Sequence, residues 1–289
     1  GASFVTPPYS TDSTVTTAFS QTELDNIYSI WQRVAEDYAP FDVDVTTQEP
    51  ATIDALIKST STDTQFGVRV CIGGSCFDWY GTSAGGVAYL NSFTWNSDTP
   101  CFVFTAQLGN GNAKYTAEAT SHEAGHTFNL SHDGQVAYGT TAAVGYYQGH
   151  ANWAPIMGVG YYQPLVQWSK GEYAGANNVQ DDFVDMQANG LPLRADDHGN
   201  TPGTATRLSG VTSGGLTSYA VEGVIEIVGR GEYVGRRRCQ LADCGPPLPS
   251  GPLPACSARN FSNSAPSSSP LGSSSSAASN EARDSCTLV

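Results

Sequence analysis

Basic side chains are scarce in this chain. Its 289 residues hold 13 Lys+Arg against 27 Asp+Glu, a net charge of −14. The deficit is uneven: residues 1–200 carry 6 basic and 21 acidic side chains, net −15, and residues 201–289 carry 7 and 6, net +1. An acidic surface of that size repels a phosphate backbone, which argues against nucleic acid as a partner. It suits solubility outside a cell. Long apolar runs are lacking too. Hydrophobic residues make up 39%, enough for a core, but no run approaches the roughly 20 residues of a membrane helix. No Cys-x-x-Cys pair occurs, which excludes a zinc knuckle. The chain begins at Gly1 without a methionine or signal peptide, so a mature or partial sequence is expected and export is inferred. Few lysines, many Ser, Thr, Gly and Tyr, and seven scattered cysteines fit an exported protein. Cys71 and Cys76 flank a Gly-Gly turn, a spacing that suits a local disulfide or two free thiols.

Histidine is also sparse, which makes its placement informative. Three of the five histidines fall within residues 121–133, as His122-Glu123-x-x-His126 followed by His132. On a helix, positions i and i+4 share one face, so His122 and His126 present two imidazoles to one point. Zinc accepts neutral imidazole in tetrahedral geometry. A third ligand from His132 would leave the fourth position open for water, as a catalytic site requires. Glu123 stands beside the first ligand and can reach that water as general base. The competing reading, a helix with two buried histidines and no metal, requires three histidines at ligand spacing by accident.

The spacing H-E-x-x-H-x-x-x-x-x-H resembles the metzincin metallopeptidases, whose long form has glycine at the position held here by Asn129. That glycine adopts a left-handed conformation, which asparagine tolerates next best. Residues 154–158, Ala-Pro-Ile-Met-Gly, resemble the family's methionine turn and lie downstream of His132. Met157, one of only two methionines, would support the metal floor. Residues 41–46, 152–157 and 167–173 also resemble a reprolysin-like or pappalysin-like secreted group. This resemblance covers about residues 1–190. It implies an α/β (α+β) catalytic domain in which a twisted mixed sheet backs the active-site helix above an irregular lower subdomain. It further implies zinc at His122, His126 and His132, with Glu123 as base. In that family an antiparallel edge strand lines the substrate groove. Residues 86–90 are the candidate, with Gly86, Val87 and Ala88 as groove residues, although a central strand also fits. Some relatives carry a tyrosine two residues after the turn methionine. Val159 occupies that position here, and Tyr161 and Tyr162 are out of register, so Tyr161 enters only as a groove residue.

Taken in order, residues 20–23 have capping-box spacing. Leu24, Ile27, Ile30, Trp31, Val34 and Tyr38 then recur at helical spacing as far as Pro40. Residues 41–45 alternate as a strand, and Ile53, Leu56 and Ile57 suggest a second helix. Residues 66–72, 86–90 and 101–108 read as strands, and a helix spans about 112–128. After His132 the chain turns rich in Gly and Tyr. There His150 reads as a hydrogen-bonding residue, because three ligands and a base already complete the site. Residues 177–190 read as a capped helix with Asp181 and Asp182 at its start. Calcium at those aspartates is the less favoured alternative.

From Leu191 the composition changes. Residues 195–206 resemble the opening of a pre-peptidase C-terminal domain, and residues 219–228 fit one of its strands. The division expected is therefore 1–190 catalytic, 191–235 linker and partial β-sandwich, and 236–289 a Pro/Ser-rich tail unable to order itself by burial. Asn260 heads a glycosylation sequon. The reading is a secreted, monomeric zinc metalloendopeptidase acting on protein or peptide substrates. Its rivals are a catalytically silent zinc-bearing module that binds protein or glycan, and a structural wall or matrix protein.

Overall fold

The computed structural model describes residues 6–12, 18–199, 201, 203–214, 216–223, 237–241 and 286–288. The chain divides into two compact units. The first holds residues 1–195 together with 225–235 and 284–289; the second holds 196–224 and 236–283.

In the first unit, helix α1 spans Gln21–Asp37. Its start is fixed as the sequence suggests. The Ser20 hydroxyl accepts from the Glu23 amide at 3.3 Å, and the Glu23 carboxylate accepts from the Ser20 amide at 2.8 Å. Ile30 and Val34 are buried, and the Trp31 indole donates to the carbonyl of Val45 at 2.6 Å. Strand β1 follows at Val43–Val45. Residues 53–56 form one 3-10 turn instead of a second helix, with Leu56 its buried residue. A helix with so little to bury gains nothing by continuing.

The stretch 66–72 is not one strand. It breaks at Arg69 into β2, Gly67–Val68, and β3, Val70–Ile72, which join different sheets. The Arg69 carbonyl at the break accepts from the Cys101 amide at 2.9 Å. Strand β4 is Gly86–Val87 and β5 is Cys101–Val103. The expected strand 101–108 stops there, because residues 105–107 turn as 3-10 helix. One sheet has the order β3-β5-β4, with β3 parallel and β4 antiparallel to β5. Strand β4 is thus an antiparallel edge.

Helix α2, Ala113–Thr127, is capped by the Asn112 side chain, which accepts from the Tyr115 amide at 3.1 Å. It packs against α1 and against β3, β4 and β5. Every residue from Thr116 to Thr127 is buried, which explains why this helix lacks an apolar stripe in sequence. Its small side chains let neighbours approach on all sides. The Tyr38 hydroxyl donates to the carbonyl of Ser121 at 3.1 Å, and the Ser121 hydroxyl donates to Asp37 at 2.6 Å.

Beyond α2 the chain is largely irregular. It holds the parallel pair β6, Trp153–Pro155, and β7, Leu165–Gln167, then helix α3, Asp182–Ala188, capped by Asp181. The fold is mixed α/β with small mixed sheets, as expected. Cys71, Cys76 and Cys101 are all free thiols, so the local disulfide does not form. In the second unit, β8 (Val211–Ser213), β9 (Leu216–Gly223) and β10 (Arg237–Leu241) form an antiparallel sheet in the order β10-β9-β8. The expected strand 219–228 is β9 as far as Gly223; residues 224–228 lie outside the described residues, as does Asn260. Near the end of the chain, β11, Cys286–Leu288, pairs in parallel with both β1 and β2.

Candidate metal centre

Helix α2 sets the first two imidazoles one turn apart. Its end aims the third. The Asn129 amide donates to the carbonyl of His126 at 2.9 Å, and the Leu130 amide to that of Gly125 at 3.3 Å. This pair of bonds closes a helix on a left-handed residue. Asn129 is that residue, with φ 72°, so asparagine performs the turn expected of glycine and the chain returns His132 to the helix face. The candidate ligand atoms of His122, His126 and His132 all lie within 4.8 Å of one another.

The outer nitrogens determine the tautomers. His122 Nδ1 meets the carbonyl of Ile156 at 2.9 Å and His126 Nδ1 meets that of Leu130 at 2.7 Å. A carbonyl only accepts, so both Nδ1 atoms carry the proton and both Nε2 lone pairs face inward. His126 Nε2 and His132 Nε2 stand 3.0 Å apart. Burial, then the neighbouring imidazoles, lower His122 to about 3 and His132 to about 4. Neutral imidazoles with converging lone pairs are what a zinc ion requires, and the residues present fit it.

Met157 is fully buried and packs against α2 at Gly125. Its carbonyl accepts from the Asp133 amide at 2.8 Å, tying the turn to the residue after His132. Glu123 is buried, and burial pushes its carboxyl up to about 8. It reaches β4 directly, for a Cβ placed on Gly86 would sit 2.7 Å from Glu123 Oε1. A cavity of about 360 Å³ opens beside the cluster, lined by His122 and Glu123 together with Gly86 and Tyr161. Of the residues expected at a groove, Gly86 and Tyr161 therefore line the same cavity as Glu123. Val87 and Ala88 do not line this cavity, and Ala88 packs on the core. His150 pairs with the hydroxyl of Tyr147 at 2.9 Å, away from the cluster. Asp181 is spent on capping α3, while the buried Asp182 accepts from the Ser169 amide at 2.8 Å.

Tyr146 lines the same cavity, and its ring lies 4.3 Å from that of His132. Sequence reasoning gave it no role. The available signal was a tyrosine pair between the third histidine and the methionine turn, in a loop already full of Gly and Tyr.

Residues 13–133 match the family described as Metallo-peptidase family M12B Reprolysin-like. Over this stretch the chain is similar to the reprolysin-like metallopeptidases, and its three clustered histidines fit the zinc site of a metzincin. The match takes in the three histidines, Glu123 and β4, and ends before Tyr146 and Met157. No curated protein and no solved structure matches the chain.

Proposed function

We propose that this protein is a zinc-dependent endopeptidase that cleaves extracellular proteins, with Glu123 as the general base. The observation that carries the reading is the pairing of three inward-facing imidazoles with a buried carboxylate that also abuts an edge strand. Zinc held by His122, His126 and His132 would lower the pKa of a water molecule and polarise the scissile carbonyl.

The chain's own residues would perform the remaining tasks. An extended peptide adds to the free edge of β4, where backbone hydrogen bonds hold it irrespective of sequence. Edge pairing requires no free terminus of the substrate, which favours internal bonds. Glu123, between that edge and the histidines, takes a proton from the attacking water and delivers it to the leaving amine. The carbonyls of Ile156 and Leu130 hold the two helix imidazoles in orientation. Met157 closes the floor without touching substrate. The acidic charge and the composition support an extracellular setting, and among the described residues no helix is long and apolar enough to cross a membrane.

The test is hydrolysis of a quenched casein substrate by the full chain, with and without a zinc chelator, beside Glu123→Ala. Chelator-sensitive cleavage that disappears in a variant still binding one zinc supports the reading. Zinc bound by the wild type without cleavage of any peptide would replace it with the silent binding module.

A further inference from the structure

The cavity beside the histidines ends on a side chain that the chemistry above does not use. Glu118 lies one helical turn before His122 and is 7% exposed, and the face it keeps open lines the cavity. Its surroundings leave it as an acceptor. Lys114 Nζ stands 3.4 Å from Glu118 Oε1, but the same ammonium donates to the carbonyls of Gly160 and Tyr161, each at 2.9 Å. Three donors meet three acceptors, so Lys114 is saturated. A carboxylate offers about four acceptor positions, and Lys114 takes one. Arg33 and Asp37 also act electrostatically on this region with opposite signs. Neither lines the cavity, and among the described residues no lysine or arginine does.

Gly160 completes the arrangement. A Cβ there would come within 2.8 Å of Glu118 Oε2 and 2.3 Å of Val166. Glycine lets the cavity wall, with the Val166 side chain behind it, lie directly against the carboxylate. The result is a cavity large enough for a long side chain, with unspent acceptors on Glu118.

We propose that Glu118 makes this cavity select a basic side chain, lysine or arginine, on a residue flanking the scissile bond. This inference rests on the peptidase reading and names the substrate class of the same site. An ammonium or guanidinium supplies donors for the acceptor positions that Lys114 does not take, whereas an aliphatic side chain leaves those positions unfilled and an acidic one meets like charge. A site built to hydrogen-bond a substrate group rejects analogues lacking it far more strongly than an apolar pocket rejects a size change.

The experiment is a set of quenched peptides varied at both positions flanking the cleaved bond among Lys, Arg, Leu and Glu, read as kcat/KM with the zinc-loaded full chain. We expect Lys or Arg to exceed Leu and Glu by roughly tenfold to a hundredfold at one of the two positions. Glu118→Gln should cut that ratio at least about tenfold while zinc stoichiometry stays at one. Wild-type cleavage with equal or aliphatic preference at both positions overturns the inference and leaves the peptidase reading standing. So does an unchanged ratio in Glu118→Gln, which would make the Lys114 pair purely structural. Cleavage of none of the peptides overturns both. The wild-type profile decides the matter even if the variant fails to fold.

Discussion

A Cβ built on Gly125 would lie 2.7 Å from the sulfur of Met157. The helix that carries His122 and His126 and the segment that carries Met157 are therefore in contact through a missing side chain. Trp168 closes the same spot, 3.3 Å from that position. On an open helix Gly→Ala stabilises by about 1 kcal/mol. Here the methyl group displaces a fully buried methionine, and overpacking of this kind costs about 1–3 kcal/mol. Gly125→Ala should therefore lower Tm and weaken zinc binding about tenfold, measured by thermal melts and by competition with a chromogenic chelator. A Tm raised by the helix propensity of alanine would show that the floor yields freely.

The neighbouring contact separates metal from chemistry. A Cβ on Gly86 would lie 2.5 Å from Glu123 Cγ and 2.7 Å from the carbonyl of Phe102. Gly86→Ala must push the carboxylate from its place or bend β4 away. Misplacing a reacting group by about 1 Å costs about a hundredfold. We expect kcat to fall by that order with one zinc still bound, measured by metal analysis beside peptide turnover. Full turnover would mean that Glu123 need not be held against the strand.

At Asn129 the backbone is the variable. Its φ of 72° costs a β-branched residue about 1–2 kcal/mol and glycine nothing. Asn129→Gly should keep stability within a few tenths of a kcal/mol and bind zinc as the wild type does. Asn129→Val should lose both stability and zinc, because the turn that returns His132 would open. Calorimetry and zinc titration on the two variants distinguish backbone from side chain.

Acidity should protect this fold in one respect. Burial, then the neighbouring Asp133 carboxylate, holds the Asp182 carboxyl well above the usual range. A carboxyl whose pKa is raised by folding binds its proton more tightly in the native state. The stability from that source is complete below the unfolded value near 4 and is lost as pH rises through the folded one. Asp182→Asn keeps an oxygen for the Ser169 amide and removes the titration. Its Tm should exceed that of the wild type by a few degrees at pH 8, with a smaller difference at pH 5, in melts of the zinc-loaded protein. A gap that widens towards acid would reverse the sign of the argument.

What could be read in the sequence was local. The capping box at Ser20 and Glu23, the ligand spacing on α2 and the left-handed turn at Asn129 each depend on residues within one or two helical turns. The edge position of β4 was reached through resemblance, and pairing bears it out. What escaped depends on packing between distant segments. Arg69 interrupts a run that reads as one strand because its two halves meet different neighbours. Tyr146 and Glu118 gain meaning only when the loop after His132 folds back over α2. Neither has a signature in its own neighbourhood: one is a tyrosine among many, and the other is half of an ordinary i, i+4 pair with Lys114.

The two atoms that orient the helix imidazoles are the main-chain oxygens of Ile156 and Leu130. No point substitution can delete a main-chain oxygen. Evolution can therefore vary the side chains at both positions, within the limits of packing, without touching the hydrogen bonds that aim the rings. Fragility is transferred to residues that set the path of the backbone, such as Asn129 and the glycines. A mutational scan of this domain should find its sharpest intolerance, outside the histidines and Glu123, at residues that contribute little or no side chain.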